Sequence, residues 1–465
     1  MVHGCLAHLL AAPPASGGNV DWSGLPIWSV IPFAVLLLAI AILPLTFGHW
    51  WEHNKNKLIV SLALGLPIGM FMFMEASARH VPLTLHDHPV FSALHEYAAF
   101  ILLLFALFAI SGGIYVRGTF AGTPTVNTGF LAVGALIASF VGTTGASMLL
   151  IRPLLRANAV RKKKVHVVVF FIFVVSNCGG LLTPLGDPPL FLGFLRGVPF
   201  GWTFNLWKEW ALVNGALLVI FHFLDAWFFH REDVQDKSAD LDEAVEKARE
   251  PFGIEGGANF LLLLGVVGVI YASGEYADRL PHFLQAWGQP LAMALLAVVS
   301  LKLTPKAIHL KNQFSFVPIV EVAALFIGIF LAMIPALKIL NAKGPELGVT
   351  SARSFFWATG VLSSFLDNAP TYLTFASVAA GLKGLSPENL AKYLALGEEA
   401  VKILAAISCG AVMMGANTYI GNGPNFMVKA IAEQSGVKMP SFFGYMGWSI
   451  AVLIPLFAVI TLVFF

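Results

Sequence analysis

Charged residues are scarce in this chain, and cysteines are scarcer still. Asp, Glu, Lys and Arg make up 12% of the 465 residues, roughly half the share found in soluble domains. The three cysteines, Cys5, Cys178 and Cys409, are too few for a disulfide framework and lack the spacing of a zinc site. A net charge of +2 points to no nucleic-acid or acidic partner. We therefore predict neither a disulfide-rich nor a zinc-bound scaffold, and we assign Cys178 and Cys409 packing roles.

Hydrophobic residues are abundant instead. They form 57% of the chain, and the mean hydropathy is +0.79. A membrane-spanning helix needs roughly 20 apolar residues, and runs of that kind recur along nearly the whole sequence. We therefore predict an all-α, polytopic integral membrane protein. Residues 1–25 lack the basic start of a signal peptide, and we expect them to form a lead-in to the first helix.

One charged segment divides the apolar runs into two sets of six. Residues 230–257 hold the only long charged stretch, which is too costly to place in hydrocarbon. We predict that this segment is a cytoplasmic linker between a first repeat, residues 26–229, and a second repeat, residues 258–465.

In each half, polar residues interrupt the fourth and fifth apolar runs. The fourth runs are residues 127–157 and 351–383, and the fifth runs are residues 165–195 and 400–432. Short basic loops stay in the cytoplasm, and this rule makes the fourth runs re-entrant hairpins that enter from opposite faces. The fifth runs become broken helices. The prediction is an inverted-topology repeat with about ten transmembrane helices, two of them broken, and two re-entrant hairpins.

Four polar tips interrupt these runs, and we expect them to meet near the middle of the bilayer. Non-helical backbone survives at membrane depth only around a cavity or a ligand. Their carboxylate, amide, hydroxyl and carbonyl oxygens suit a hard cation. The candidate ion- or substrate-binding residues are Thr143, Thr144, Ser147, Thr183, Gly186, Asp187, Asp367, Asn368, Thr371, Asn417, Thr418 and Asn422.

Two of these residues, Asp187 and Asp367, are carboxylates. An anion at the bilayer centre is costly, so a proton or a bound cation should offset each charge. That behaviour suits an exchanger of cations and protons. Asp187 precedes Pro188 and has an alternative role as the N-cap of a helix. Asp367 stands in an otherwise apolar run, where a functional role is the better explanation.

Glu96 and Glu321 form another matched pair, 225 residues apart. Each lies near the start of a long apolar helix. One interpretation places them on a proton path or in a gate, and the other places them at helix N-termini near the membrane interface. The loop before Glu96 holds scattered histidines, among them His88, for which an outer loop is a simpler explanation than a metal site.

The tips resemble those of the ion-transporter superfamily, which includes NhaD-type sodium/proton antiporters, arsenite permeases, citrate transporters and divalent-anion/sodium symporters. Leu366-Asp367-Asn368-Ala369-Pro370 is similar to the second-hairpin motif of the antiporter and arsenite branches. Thr183-Pro184-Leu185-Gly186-Asp187 is similar to the NhaD-type branch. Asn422-Gly423-Pro424-Asn425 departs from the Thr-Pro-Pro-Asn pattern of the symporters. The resemblance covers residues 26–465.

This resemblance implies sodium-coupled transport by a homodimer. We expect sodium, as a transported or coupling ion beside the proton, at Asp187, Asp367, Asn368 and Asn422. The leading hypothesis is a sodium/proton antiporter of the bacterial inner (plasma) membrane, with alternating access and no enzymatic activity. The alternative is a sodium- or metal-coupled citrate or dicarboxylate symporter, in which hydroxyl groups such as those of Thr143 and Thr418 would bind the anion.

Overall fold

The computed structural model describes residues 24–85, 87–118, 120–232, 253–276, 279–343 and 348–465, together with Val20, Trp22 and Glu346. Most of the predicted lead-in, residues 1–25, and most of the predicted linker, residues 230–257, lie outside this part of the chain. Both therefore stay predictions, as do the boundaries of the two repeats.

Helices provide almost all the regular structure of the first half. They are α1 (Ile31–Thr46), α2 (Gly48–Trp51), α3 (Asn54–Ala78), α4 (Pro89–Gly112), α5 (Pro124–Val141), α6 (Thr143–Ala157), α7 (Val165–Val174), α8 (Pro188–Leu195) and α9 (Trp207–Arg231). Short 3-10 turns occupy Ile27–Val30, Cys178–Leu181 and Phe200–Leu206.

The second half repeats this succession. Its helices are α10 (Ala258–Glu275), α11 (His282–Leu303), α12 (Lys306–Lys311), α13 (Val317–Lys343), α14 (Ala352–Ser363), α15 (Asn368–Leu382), α16 (Leu390–Leu394), α17 (Glu398–Met414), α18 (Gly423–Gln434) and α19 (Phe442–Phe464), with a 3-10 turn at Gly415–Asn417. The strands β1 (Tyr115–Arg117) and β2 (Gly253–Glu255) pair in antiparallel fashion and join the two halves.

The described residues confirm an all-α polytopic membrane protein. Nine of their helical stretches are long and apolar enough to cross a membrane. One of these is α5, Pro124–Val141, which the sequence predicts to be one arm of a hairpin. Two apolar stretches fall short of full length, at Val165–Leu181 and Ala258–Ser273. The first is short because its helix is interrupted, as predicted.

Six helices form a support group: α1, α3, α4, α10, α11 and α13. Within it α13 packs along α3 and α4. The closest approach is at Gly65 and Gly328, where a Cβ on Gly65 would lie 2.6 Å from the Cα of Gly328. Ser61 Oγ donates to Leu325 O across the same contact, at 2.9 Å. Only the missing side chains allow these two backbones to come so close.

Eleven other helices, α5 to α9 and α14 to α19, form a site group that carries both hairpins and both broken helices. The first hairpin turns at Gly142, whose φ of 81° is accessible to glycine without strain. After each break, the helix resumes with proline within its first two positions. These positions are Pro188-Pro189 for α8 and Gly423-Pro424 for α18. Proline is favourable at the start of a helix and cannot continue the one before it. The support group meets the site group through contacts of α4 with α6 and α8, and of α13 with α15.

Candidate functional site

The tip of the first hairpin is fastened to the loop of the first broken helix. Ser139 Oγ donates to Gly179 O at 2.5 Å, and Thr183 Oγ1 donates to Ser139 O. The backbone adds a third bond, from Thr143 N to Gly186 O at 2.8 Å. Thr183, through its hydroxyl, and Gly186, through its carbonyl, therefore hold the tip and the loop together.

The second half contains the same fastening. Ser364 Oγ donates to Met414 O at 3.3 Å, and Thr418 Oγ1 donates to Ser364 O at 2.5 Å. These three residues stand at the positions equivalent to Ser139, Gly179 and Thr183. Two of the three bonds at the first tip therefore have a counterpart at the equivalent positions of the second half.

Asp187 lies at the centre of the four tips, and its side chain is almost fully buried, with 1% exposure. Thr143 Oγ1 donates to Oδ1 at 2.8 Å, and Asn422 Nδ2 donates to the same oxygen at 3.2 Å. Asn368 Nδ2 donates to Oδ2. Each tip thus supplies one member of the cluster. All three donors are neutral, and no ion pair among the described residues includes Asp187.

The side chain of Asp187 does not cap a helix, although the residue occupies the N-cap position of α8. Pro188 and Pro189 fill the first two helical positions and have no N–H to donate. The N–H of Leu190 bonds to the backbone oxygen of Asp187 instead, at 3.1 Å. The carboxylate is therefore left to contact the other tips, so the capping interpretation of this side chain is wrong.

Asp367 is the carboxylate that caps. Its Oδ1 accepts from Ala369 N at 3.0 Å at the start of α15, and Thr371 Oγ1 bonds to its backbone oxygen at 2.9 Å. Asp367 is only partly buried and makes no hydrogen bond to the cluster around Asp187 within the described structure. Its predicted role in ion binding stays a prediction.

The other predicted site residues lie around the cluster without bonding to its carboxylate. Ser147 Oγ pairs with Ser176 Oγ at 2.8 Å, and Asn417 Nδ2 donates to Ser364 Oγ at 2.9 Å. Thr144 is partly buried one position after Thr143. These residues shape the walls of the site, whereas Thr143, Asp187, Asn368 and Asn422 form its centre.

Two side-chain oxygens near the cluster are buried and accept no hydrogen bond. They are Asn368 Oδ1 and Asn417 Oδ1. A buried acceptor without a donor costs free energy, and a hard cation is the partner that such oxygens suit. Asn368 is the better candidate for a cation ligand. Its Nδ2 donates to Asp187, and this bond fixes the orientation of the amide, so that Oδ1 is the atom without a partner.

Sequence reasoning missed two asparagines that lie beside the cluster. Asn177 Nδ2 donates to Asn425 Oδ1 at 2.7 Å, and Asn422 Nδ2 lies 3.2 Å from Asn177 Oδ1. All three side chains are buried. The sequence held a signal, because an Asn lies next to the loop of each broken helix. Asn177 precedes the first loop and Asn425 follows the second, so both fell outside the four tips.

Glu96 and Glu321 are both paired with basic side chains. Arg196 Nη2 lies 3.1 Å from Glu96 Oε2, and Lys57 Nζ lies 2.6 Å from Glu321 Oε1. The first pair joins α4 of the support group to the end of α8 in the site group. The second pair stays within the support group, so the two matched acids have different surroundings.

A second buried polar cluster lies at the base of the first hairpin. Asp225 Oδ1 accepts from Arg161 Nη1 at 2.5 Å and lies 2.8 Å from His166 Nε2. Asn127 Nδ2 donates to Asp225 Oδ2 at 2.9 Å. Here the carboxylate has a basic partner, in contrast to Asp187, and the bonds fix α5 to α7 and α9.

One family model matches residues 22–465, and its description reads "Putative citrate transport". No curated protein matches the chain.

Proposed function

The chain belongs to this citrate-transport family, a family of membrane transporters, and we propose that it exchanges sodium ions for protons at Asp187. The observation that carries the proposal is the buried carboxylate itself. Asp187 is almost fully buried, and its partners Thr143, Asn368 and Asn422 are all neutral. Its charge therefore needs a proton or a cation from outside the protein.

A single carboxylate accounts for coupling between the two ions. Either a proton or a sodium ion makes the site electrically neutral, and each excludes the other because both neutralise the same oxygens. Asn368 Oδ1 offers a further oxygen to a cation. We propose that Asp367, at the neighbouring tip, adds negative potential for the cation, and that Asn422 belongs to the same sodium site.

Alternating access would then be a movement of the site group against the support group. The surfaces that would slide are those of α4 against α6 and α8, and of α13 against α15. Among the described residues, Arg196 and Glu96 form an ion pair across this boundary. We further propose a homodimer in the bacterial inner (plasma) membrane, in line with the families that the sequence resembles.

The alternative is a sodium- or metal-coupled symporter of citrate or a dicarboxylate, and the description of the family favours it. An organic anion beside Asp187 would add charge of the same sign. The hydroxyl of Thr143 and the amides of Asn368 and Asn422 already donate to Asp187. This arrangement favours cations alone as the cargo.

Proteoliposomes that enclose a pH-sensitive dye test the proposal. Adding sodium or lithium outside should move protons through the wild type, and Asp187→Asn should stop that movement. Glu433→Gln is the matched control, because Glu433 is an acid at the surface that pairs with Lys429. A wild type that moves no protons would contradict antiport, and sodium-dependent uptake of labelled citrate would establish the alternative.

A further inference from the structure

Three buried side-chain amides, those of Asn425, Asn177 and Asn422, form a relay of hydrogen bonds that ends at Asp187. We propose that Asn177 and Asn425 are positioning residues, which orient the Asn422 amide so that its NH2 group faces Asp187. The inference rests on the proposed function, because the orientation matters only if Asp187 binds the cargo ion.

The relay starts at main-chain carbonyl oxygens, which accept hydrogen bonds and cannot donate them. Asn425 Nδ2 donates to Gly415 O and to Thr418 O, each at 2.9 Å. Both hydrogens of this amide are thereby used, so its Oδ1 must face the other way, as an acceptor. Asn425 is 0% exposed, and no solvent could stabilise the reversed orientation.

The next amide, Asn177, is fixed by the same logic. Its Nδ2 donates to Ile172 O at 2.8 Å and to Asn425 Oδ1 at 2.7 Å. Both of these atoms can only accept. Asn177 Oδ1 is therefore turned towards Asn422 as an acceptor.

Asn422 has no choice of orientation as a result. Its Nδ2 faces Asn177 Oδ1 and Asp187 Oδ1, each at 3.2 Å, and Ser176 O at 3.1 Å. A reversed amide would place an oxygen against three acceptors. A buried amide with unmatched oxygens costs about 1–3 kcal/mol, so the NH2 end is held on Asp187.

The relay draws Asn177 from the first half and Asn422 and Asn425 from the second, and it is not repeated at the equivalent positions. Asp187 and Asn422 are equivalent residues, and the residue equivalent to Asn425 in the first half is Leu190, which is buried at the start of α8. The fold thus accommodates leucine at this position, and the relay exists because the second half has asparagine there. Its effect is to hold one oxygen of Asp187 in place, and pre-organised ligands bind their ion more tightly.

Asn425→Leu and Asn177→Leu test the relay in the full-length protein. Each variant should raise the KM for sodium by about tenfold, the effect of losing one hydrogen bond to a charged group. The maximal rate should stay within about twofold of the wild type, because the carboxylate itself is intact.

Asn214→Leu is the matched control. Asn214 is also buried, and its Nδ2 also donates to two main-chain oxygens, Cys178 O at 3.2 Å and Trp210 O at 2.9 Å. Neither of these bonds of Asn214 involves Asn422 or its partners Asn177 and Asn425. Its loss should lower the melting temperature in detergent as much as the relay variants do, while the KM for sodium stays unchanged.

The sodium concentration that half-maximally raises the melting temperature gives a second measure of affinity, including for a variant that no longer transports. Relay variants with wild-type affinity by both measures would overturn the relay alone, provided that the wild type exchanges. An equal loss of affinity in Asn214→Leu would also overturn it. A wild type with neither exchange nor a sodium-dependent shift would refute the proposed function instead, and the relay with it.

Discussion

Asp187 and Asn422 occupy equivalent positions of the two halves, 235 residues apart, and the amide Nδ2 of Asn422 lies 3.2 Å from Oδ1 of Asp187. Both residues have extended backbone and immediately precede a half-helix with proline within its first two positions. Neither side chain caps its helix. The two halves thus bring the same structural position to one point but place a charge there only once.

This relationship predicts that the carboxylate can be moved from position 187 to the equivalent position 422. Asp187→Asn should reduce exchange to the level of empty liposomes, because the carboxylate among the four central residues, Thr143, Asp187, Asn368 and Asn422, is gone. Asp187→Asn combined with Asn422→Asp should restore only part of the exchange, measured with the same internal dye, because the new carboxylate would also face the acceptors Ser176 O and Asn177 Oδ1. A double variant as inactive as Asp187→Asn, while folded by its melting curve, would show that the two positions are not interchangeable.

A second prediction separates the two roles of Asp367. Asn is as good an N-cap as Asp, whereas Ala is not, and loss of the cap costs about 1 kcal/mol. Asp367→Asn should therefore keep the melting temperature but raise the KM for sodium, since a nearby negative charge is lost. Asp367→Ala should show both effects. If Asp367→Asn leaves the KM unchanged, the carboxylate serves only as a cap.

A third prediction concerns Arg196 and Glu96. Both side chains are mostly buried, and removing one partner of a buried pair destabilises by about 3–5 kcal/mol. Arg196→Gln should therefore lower the melting temperature markedly, and Glu96→Gln should do so too. The double variant should be more stable than the sum of the single effects predicts, because no charge is left unpaired. Additive losses would mean that the pair is not coupled.

A fourth prediction concerns pH and His88, which lies just before α4 and outside the predicted spans. The imidazole is 0% exposed, packs against Phe73 and Phe91, and has no hydrogen-bond partner at either nitrogen in the described structure. Burial lowers the pKa of His88 below its usual 6.5. The unfolded chain therefore binds a proton first as the pH falls.

Stability should consequently decline as the pH drops below about 6.5 and through the lower folded pKa of His88. Melting temperatures measured between about pH 8 and pH 5 would show the decline. His88→Phe removes both the titration and the unmatched nitrogens, so it should stabilise the protein by about 1 kcal/mol or more and flatten the curve. The same pH dependence in His88→Phe would assign it to other groups.

The sequence predicts the helical membrane fold because apolar runs and their breaks are local signals. It also locates the tips, since the Gly, Pro and Asn residues that end each helix identify them. The capping role that the sequence offered for Asp187 belongs in the structure to Asp367. The cause was visible in principle, because Pro188 and Pro189 lack an N–H and leave only that of Leu190, in the first three helical positions, for a cap at Asp187.

Contacts between distant segments could not be predicted in this way. Asn177 and Asn425 are 248 residues apart, and no local pattern indicates that they meet. The pairing of Arg196 with Glu96 likewise depends on how α8 packs against α4. From the sequence alone, each of these residues has an ordinary explanation as a polar group at the end of a helix.

The neutral surroundings of Asp187 bear on how a transporter of this kind avoids leakage. Under the proposed exchange, the four central residues would carry no net charge with a sodium ion or a proton bound, and the site group could then move across the membrane. With neither bound, it carries a bare carboxylate, which hydrocarbon repels. The empty carrier would then be held on the side where it released its cargo, and the bilayer itself would oppose its return without a new ion or proton.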